Sequence, residues 1–340
     1  MLSLGIVGYG RIGAEHAGWL AQCKNIRARA VADSTAARRD LAAKAGLRAV
    51  ENPAELFNDN SIDAVLISTP TSMHFDQASA ALRANKHVMV EKPIAMNQMQ
   101  ARQLIALHES HNCVLSVFHN RRWDADFLSV SQAVSSGVFG KLINIESRLG
   151  QFASCVGPAA KDYRPNWRNE ASFGGGGLFD WGSHFIDQLC LLMFPATPAR
   201  LFAQLRHNVW STDCDDFARI CIDFDNGAAA LVEINTTTTQ PLPRWHIDGT
   251  AGSASSAASL EFDVRRWAEL DFTPADSSKA AFRLPLAPPG LSEVQIWDQF
   301  AAAIAGEGRP AVTVDSVMPT MLLLDAAQRS AKSGTTIQLT

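Results

Sequence analysis

Leu2-Ser3-Leu4-Gly5-Ile6-Val7-Gly8-Tyr9-Gly10-Arg11-Ile12-Gly13 decides the fold of this 340-residue chain. An apolar run short enough for a buried strand meets a GxGxxG loop and then a helical pattern. Glycines in that setting permit a tight turn and let the amides of a helix N-terminus approach a pyrophosphate. Asp33 follows at the end of the next apolar run, where a carboxylate accepts hydrogen bonds from adenosine ribose hydroxyls. Gly8, Gly10, Arg11, Ile12, Gly13 and Asp33 are thus predicted to build a dinucleotide site. The acid favours NAD because it repels a 2′-phosphate, and Arg11, Arg38 and Arg39 keep NADP as the alternative, since a guanidinium pairs with that phosphate.

The alternation continues outward from the loop. Apolar runs at 28–32, 64–68, 87–90 and 114–118 alternate with helical patterns at 11–23, 34–45, 74–84 and 97–111, a βαβ series. Such strands predict a doubly wound parallel sheet whose ligand lies beyond its carboxyl ends. Asn85 falls where the 74–84 helix ends, a place that often takes a left-handed residue. Beyond residue 120 the texture changes. A helix at 124–136 precedes strand patterns at 143–149, 199–207, 217–224, 228–236 and 244–248, parted by turns such as Asp225-Asn226-Gly227. The fold class is therefore α/β: an N-terminal Rossmann domain at 1–120, then an α+β domain at 121–340 with a large, mostly antiparallel open sheet. Small residues at 252–259 and prolines at 275–289 read as loops, whereas 293–305 and 316–330 are helical by period. With few helices to cover that sheet, uncovered apolar surface is expected to pair copies into a homodimer or homotetramer.

The composition, 47% hydrophobic and 19% charged with a formal net charge of -4, is that of a soluble globular protein. No basic stripe favours nucleic acid or an anionic membrane, and no apolar stretch reaches the roughly 20 residues of a membrane span. Six cysteines without a CxxC pair read as reduced thiols. With an N-terminus that enters the first strand without a leader pattern, they point to the cytoplasm.

A second stretch, Gly174-Gly175-Gly176-Gly177-Leu178-Phe179-Asp180-Trp181-Gly182-Ser183-His184-Phe185-Ile186-Asp187, bears on chemistry. On a helix over 178–193, Asp180 and His184 share one face, where a carboxylate fixes the imidazole tautomer and favours its charged form. Oxidising a secondary alcohol needs a hydride acceptor, a base for the hydroxyl proton and a cation beside the developing alkoxide. His184 is the candidate acid/base, Asp180 its orienting partner and Lys92 the ammonium, so residues of both domains meet in a cleft. Metal ligation by Asp180, His184 and Asp187 is the weaker alternative, for want of a further Cys/His cluster, and no metal is expected. His119, Arg121, Arg122, Tyr163, Arg164 and Arg168 are candidates to hydrogen-bond a polyol, Arg168 beside Trp167 foremost. Trp181 reads as core or cleft lining, and Asp215-Asp216 as the start of a strand.

Taken in order, the glycine loop, Thr69-Pro70-Thr71-Ser72-Met73-His74, Lys86-His87-Val88-Met89-Val90-Glu91-Lys92-Pro93 and the 175–187 segment resemble the glucose-fructose oxidoreductase / inositol dehydrogenase / MocA family. Ser116-Val117-Phe118-His119-Asn120-Arg121-Arg122-Trp123-Asp124, Tyr163-Arg164-Pro165 and Trp167-Arg168 are similar to its scyllo-inositol dehydrogenase branch. The resemblance implies a Rossmann domain, an open sheet used for oligomerisation, and NAD(P)-linked oxidation of sugars or cyclitols. It implies cofactor contacts from Arg38, Thr69, Pro70, His74, Glu91, Lys92, Asn120, Trp167 and Arg168. Substrate contacts fall to Lys92, Asn120, Tyr163, Arg168, Asp180 and His184. Two features depart from the branch: Asp33, which its NADP-using members generally lack, and the four-glycine run. The expected function is hydride transfer between NAD and a secondary alcohol or ketone of a cyclitol or sugar, an inositol-like polyol first. The alternatives are a keto-sugar reductase and a non-catalytic dinucleotide- and sugar-binding regulator, the latter disfavoured by retention of Lys92, Asp180 and His184 together.

Overall fold

The computed structural model describes residues 1–155 and 167–339. Its first sheet holds six parallel strands, β1 (Leu2–Val7), β2 (Ile26–Ala32), β3 (Arg48–Val50), β4 (Ala64–Ile67), β5 (His87–Val90) and β6 (Leu115–Val117), in the order β3-β2-β1-β4-β5-β6. The order reverses between β1 and β4, which opens a crevice beyond their carboxyl ends. Helices α1 (Arg11–Leu20), α2 (Ala36–Lys44), α3 (Pro53–Phe57), α4 (Thr71–Arg83) and α5 (Gln98–His111) link these strands. Asn85, just past α4, has φ +56°, the left-handed conformation expected of it.

The β3 and α3 pair is absent from the periodic reading for a physical reason. β3 is a three-residue edge strand with no buried position, and α3 is a single short helix set by its ends rather than by an apolar stripe. Asn52 and Glu55 form a reciprocal capping box around Pro53, so local hydrogen bonding defines it.

After α6 (Ala125–Ser135) the chain builds a nine-stranded sheet: β7 (Leu142–Gly150), β8 (Pro198–Arg206), β9 (Phe217–Phe224), β10 (Ala229–Asn235), β11 (Trp245–Gly249), β12 (Gly252–Ser255), β13 (Asp271–Pro274), β14 (Phe282–Arg283) and β15 (Ile337–Gln338). The order is β14-β13-β12-β11-β7-β10-β9-β8-β15, antiparallel except for the β7/β10 pair. Residues 252–255, expected as loop, are a strand because β11 and β13 flank them and supply partners on both edges. Tertiary pairing overrides the weak strand propensity of small residues there. Similarly, Phe282 and Arg283 within the proline-rich stretch pair with β13.

Helices α7 (Ser183–Met193) and α10 (Met318–Ser333) cover one face of this sheet over Ile145, Leu149, Ile220, Ile222, Val232 and Ile234, and α10 also touches α5 of the first layer. A second core on the opposite face of the first sheet is closed by α9 (Glu293–Ile304), whose Trp297 and Phe300 are fully buried with Leu4, Ile6, Leu66 and Phe118. Short α8 (Val264–Trp267) packs on α6. The other face of the large sheet differs from expectation. It is laced with ion pairs, Arg148 with Glu146, Arg219 with Glu233, Arg200 with Asp223 and His246 with Asp248, rather than being continuously apolar. Among the described residues, no helix is long and apolar enough to cross a membrane.

Candidate active site

At the β1 carboxyl end Gly8 adopts φ +90°, and a Cβ there would press on the Ser68 carbonyl. One on Gly13 would overlap the Gly8 carbonyl oxygen, whereas one on Gly10 would meet nothing nearer than the Arg38 guanidinium at 3.8 Å. The loop is thus closed on its protein side and open above Gly10 and the start of α1, the shape a pyrophosphate needs. Asp33 is held in place: its Oδ2 accepts from the Tyr9 amide at 2.7 Å and its Oδ1 from the Thr35 amide at 2.8 Å. Arg38 approaches the same carboxylate to 3.6 Å, so acid and guanidinium stand together beside the glycine loop. Arg39 points elsewhere, donating to the Asp33 and Ser34 carbonyls, and Arg11 pairs in solvent with Glu15. The donors and the cradle fit a dinucleotide.

Thr69 and Pro70 follow β4 at the opposite wall, where the Ser68 hydroxyl donates to the Gly8 carbonyl and the Thr69 hydroxyl to Gln77. His74 is in the first turn of α4 and fully buried. Its ring nitrogens reach the Thr69 and Pro93 carbonyl oxygens at 2.9 and 2.8 Å, so it ties the β4 loop to the β5 loop. Burial lowers its pKa. Glu91 is engaged by protein groups: it accepts from His16 Nε2 at 2.8 Å, and Trp297 Nε1 donates to the other ring nitrogen of His16 at 3.1 Å. That donation makes Nδ1 the acceptor, which leaves the proton on Nε2 facing Glu91. Sequence reading gave no sign of this link from α9, because Trp297 and His16 are 281 residues apart.

Lys92 extends from the β5 loop into the second layer. Its Nζ donates to the Asp180 carbonyl at 2.8 Å and to Asp180 Oδ1 at 3.1 Å, and Arg168 Nε lies 3.5 Å from the same oxygen. Burial pushes the Asp180 carboxyl up, but Lys92 and Arg168 outweigh it and hold the group below its ordinary value. The predicted Asp180–His184 partnership is therefore replaced by Asp180–Lys92. The segment also departs from the regular helix expected: 178–182 form a single π turn before α7 begins.

The glycine run serves close approach. A Cβ on Gly175 would overlap the Trp167 and Arg168 carbonyls, and one on Gly176 the Asp215 carboxylate. Asp215, read from sequence as a strand start, instead caps this turn: its carbonyl accepts from the Gly177 amide and its Oδ2 from the Leu178 amide at 2.7 Å. Burial raises its pKa to about 7.

His184 is buried and its pKa falls well below the usual imidazole value, first through burial, then through Lys92, Arg121 and His119. At neutral pH the ring is uncharged and able to accept a proton. His119 packs against it edge to face. Arg121 lies over the rings of Trp181 and Phe262 at 4.8 and 4.3 Å, and Arg168 over Trp167 at 4.3 Å. Arg122 does not face the cluster as a polyol ligand: it grips Asp187 with two 2.7 Å hydrogen bonds, which also occupies the third supposed metal ligand. Asn120 reaches Glu293 at 3.4 Å. Tyr163, with Arg164 and Pro165, lies outside the described residues.

Residues 2–119 match an oxidoreductase family with an NAD-binding Rossmann fold, GFO/IDH/MocA, and residues 127–255 match that family's C-terminal domain. The chain belongs to the GFO/IDH/MocA family. Its first sheet is accordingly an NAD-binding Rossmann domain. An uncharacterized oxidoreductase of Escherichia coli (strain K12), YdgJ, is 42% identical over 165 residues, 48% of this chain and 46% of that protein. The scyllo-inositol 2-dehydrogenase (NADP(+)) of Bacillus subtilis (strain 168) is 30% identical over 201 residues, 58% of this chain and 53% of that one. The chain's matches span about half the length of these curated relatives. A solved NAD-binding protein from Listeria innocua is similar over 99% of this chain and 96% of its own, with TM-score 0.87 and 29% identity.

Proposed function

We propose that this protein is a nicotinamide-dependent dehydrogenase that interconverts a secondary alcohol and a ketone on a cyclitol or sugar, an inositol-like polyol foremost. The observation that carries the reading is the convergence of Lys92 from the first sheet's carboxyl end with Asp180 and the buried, neutral His184 from the second layer. Bound NAD supplies the hydride acceptor. His184 takes the hydroxyl proton in oxidation and returns it in reduction. The Lys92 ammonium stabilises negative charge developing on the substrate oxygen, and Asp180, which Arg168 also approaches, holds that ammonium in place. Asn120, Tyr163 and Arg168 serve the substrate, and Gly8 to Gly13, Asp33, Arg38, Thr69, Pro70, His74, Asn120, Trp167 and Arg168 the cofactor. Glu91 serves it indirectly, through the His16 and Trp297 link. Residues 1–120 act as the cofactor unit and 121–340 as the substrate and self-association unit. The name of the Bacillus relative supports an inositol-like substrate. Following reduced-nicotinamide absorbance across inositols, aldoses and keto sugars tests the reading. Cofactor binding with no turnover of any of them would favour a regulator instead.

For the cofactor, NAD is the proposed preference. Asp33→Ser removes the carboxylate that repels a 2′-phosphate and leaves Arg38 facing it. The expected outcome is a shift of at least tenfold in relative kcat/KM towards NADP, about 1.4 kcal/mol. NAD turnover should also fall, because the Tyr9 and Thr35 amides lose their acceptor. A parent protein that already prefers NADP tenfold would end the argument from Asp33.

Self-association is proposed through the open face of the large sheet, where Phe202, Phe217 and Leu231 sit among the ion pairs. Light scattering is expected to give a dimer or tetramer mass. A monomer mass at micromolar concentration and low salt would remove the idea.

A further inference from the structure

We propose that His119 is a positioning residue for His184, holding its ring and connecting it to the buried Asp187 carboxylate. The inference rests on the reading of His184 as the proton acceptor and goes beyond it, because Asp180 is committed to Lys92 and Arg168 and, among the described residues, no carboxylate is hydrogen-bonded to the imidazole.

The two rings meet edge to face at 88°, with centroids 5.6 Å apart. They come from different layers, His119 from the end of β6 and His184 from the first turn of α7. Both are almost wholly buried, at 2% and 5% exposure, and among the described residues the Nδ1 of each has no hydrogen-bond partner. His119 Nδ1 faces Asp187 Oδ2 at 3.6 Å. Asp187 is itself fixed by the paired bonds from Arg122 and by the Thr320 hydroxyl at 3.1 Å, while Arg122 also donates to the Ser316 hydroxyl. The carboxylate therefore cannot swing to His184, and the His119 ring is the group in contact with both.

The charges around the pair explain why such a link matters. His184 faces Lys92, Arg121 and His119, and His119 faces Asp187, Arg122, Lys92 and Glu91. A proton arriving on His184 makes a cation beside two fixed cations. Burial brings the His119 pKa down to about 4, so its ring is neutral at neutral pH and adds no third positive charge. Kept neutral in this way, it packs against the ring that takes the proton and fixes its orientation without adding to the repulsion.

His119→Phe keeps a ring for edge-to-face packing and removes both nitrogens, whereas His119→Asn keeps a donor for Asp187. The first readout needs no substrate: the ring-nitrogen NMR signals of His184 at neutral pH, assigned by their absence from His184→Ala. In His119→Phe they are expected to move, and in His119→Asn to return towards those of the parent. The second readout is kinetic. His119→Phe should lose about tenfold or more in kcat, at the low end of general acid/base effects, with KM and cofactor affinity changed less than about threefold. His119→Asn should recover part of that loss. Unmoved His184 signals in the variants, or an unchanged kcat in His119→Phe, overturn the inference. Should His119→Phe not fold, the Asn variant is judged by the same signals: a displacement as large as that in His119→Gln, with no recovery in either, overturns it too. Turnover retained by His184→Ala defeats the proton-acceptor reading, whereas its loss alongside a parental His119→Phe defeats this inference alone.

Discussion

Lys92→Met is expected to lower turnover by about 10²–10³-fold, the size of effect seen when a preorganised donor to a developing oxyanion is removed. Cofactor affinity should change by less than about threefold, because the glycine loop and Asp33 are untouched. The split follows from geometry: the ammonium leaves the first sheet and is fixed on Asp180 by contacts of 2.8 and 3.1 Å. A group held so firmly before substrate arrives costs little reorganisation during reaction. Steady-state kinetics together with a fluorescence titration of the reduced cofactor check both halves. Turnover within tenfold of the parent would take the alkoxide role from Lys92. A parallel loss in cofactor affinity would recast it as a binding residue.

Asp187→Ala is expected to cost about 3–5 kcal/mol of stability, the range for breaking one side of a buried ion pair. Arg122 is left with its guanidinium in the interior, where Asp187, 1% exposed, had met it with two bonds and had joined it to Thr320 of α10. Because Arg122 follows β6 and Asp187 lies on α7, the pair also joins the two layers. A urea midpoint at neutral pH measures the loss, and a change below about 1 kcal/mol would refute the pairing argument. The pH dependence has a definite sign. Burial pushes the Asp187 carboxyl up, but His119 and Arg122 outweigh it and its folded pKa lies below the ordinary value. The stabilisation is therefore complete above the unfolded carboxyl range, near pH ~3.9, and lost as pH falls through the folded value. The gap between parent and Asp187→Asn should close in that acid window and stay constant above it.

Much of the first layer was legible because its signals are local. An apolar strand, GxGxxG and an acid at the next strand end each constrain backbone conformation within a few residues, and the helices between them show one buried stripe. The large sheet was legible in its long strands and illegible at β12, β13 and β14, whose pairing comes from neighbours rather than from their own propensity. Its open face was expected to be apolar, but charges pair across its strands, a relation that exists only once register is set.

Sequence alone determined that Lys92, Asp180 and His184 are present, that a Rossmann domain precedes a mostly antiparallel sheet, and that Asp33 stands beside the cofactor loop. Tertiary structure decided how these groups are partnered. The approach of Lys92 from the first sheet engaged Asp180, in place of the His184 expected. Packing of two layers placed His119 against His184, and Asp187 within the grip of Arg122. The return of α9 put Trp297 on His16 and thereby on Glu91. The reason is physical: composition and periodicity encode which face of an element is buried, whereas the partner of a buried charge depends on angstrom-scale approach between segments far apart in the chain.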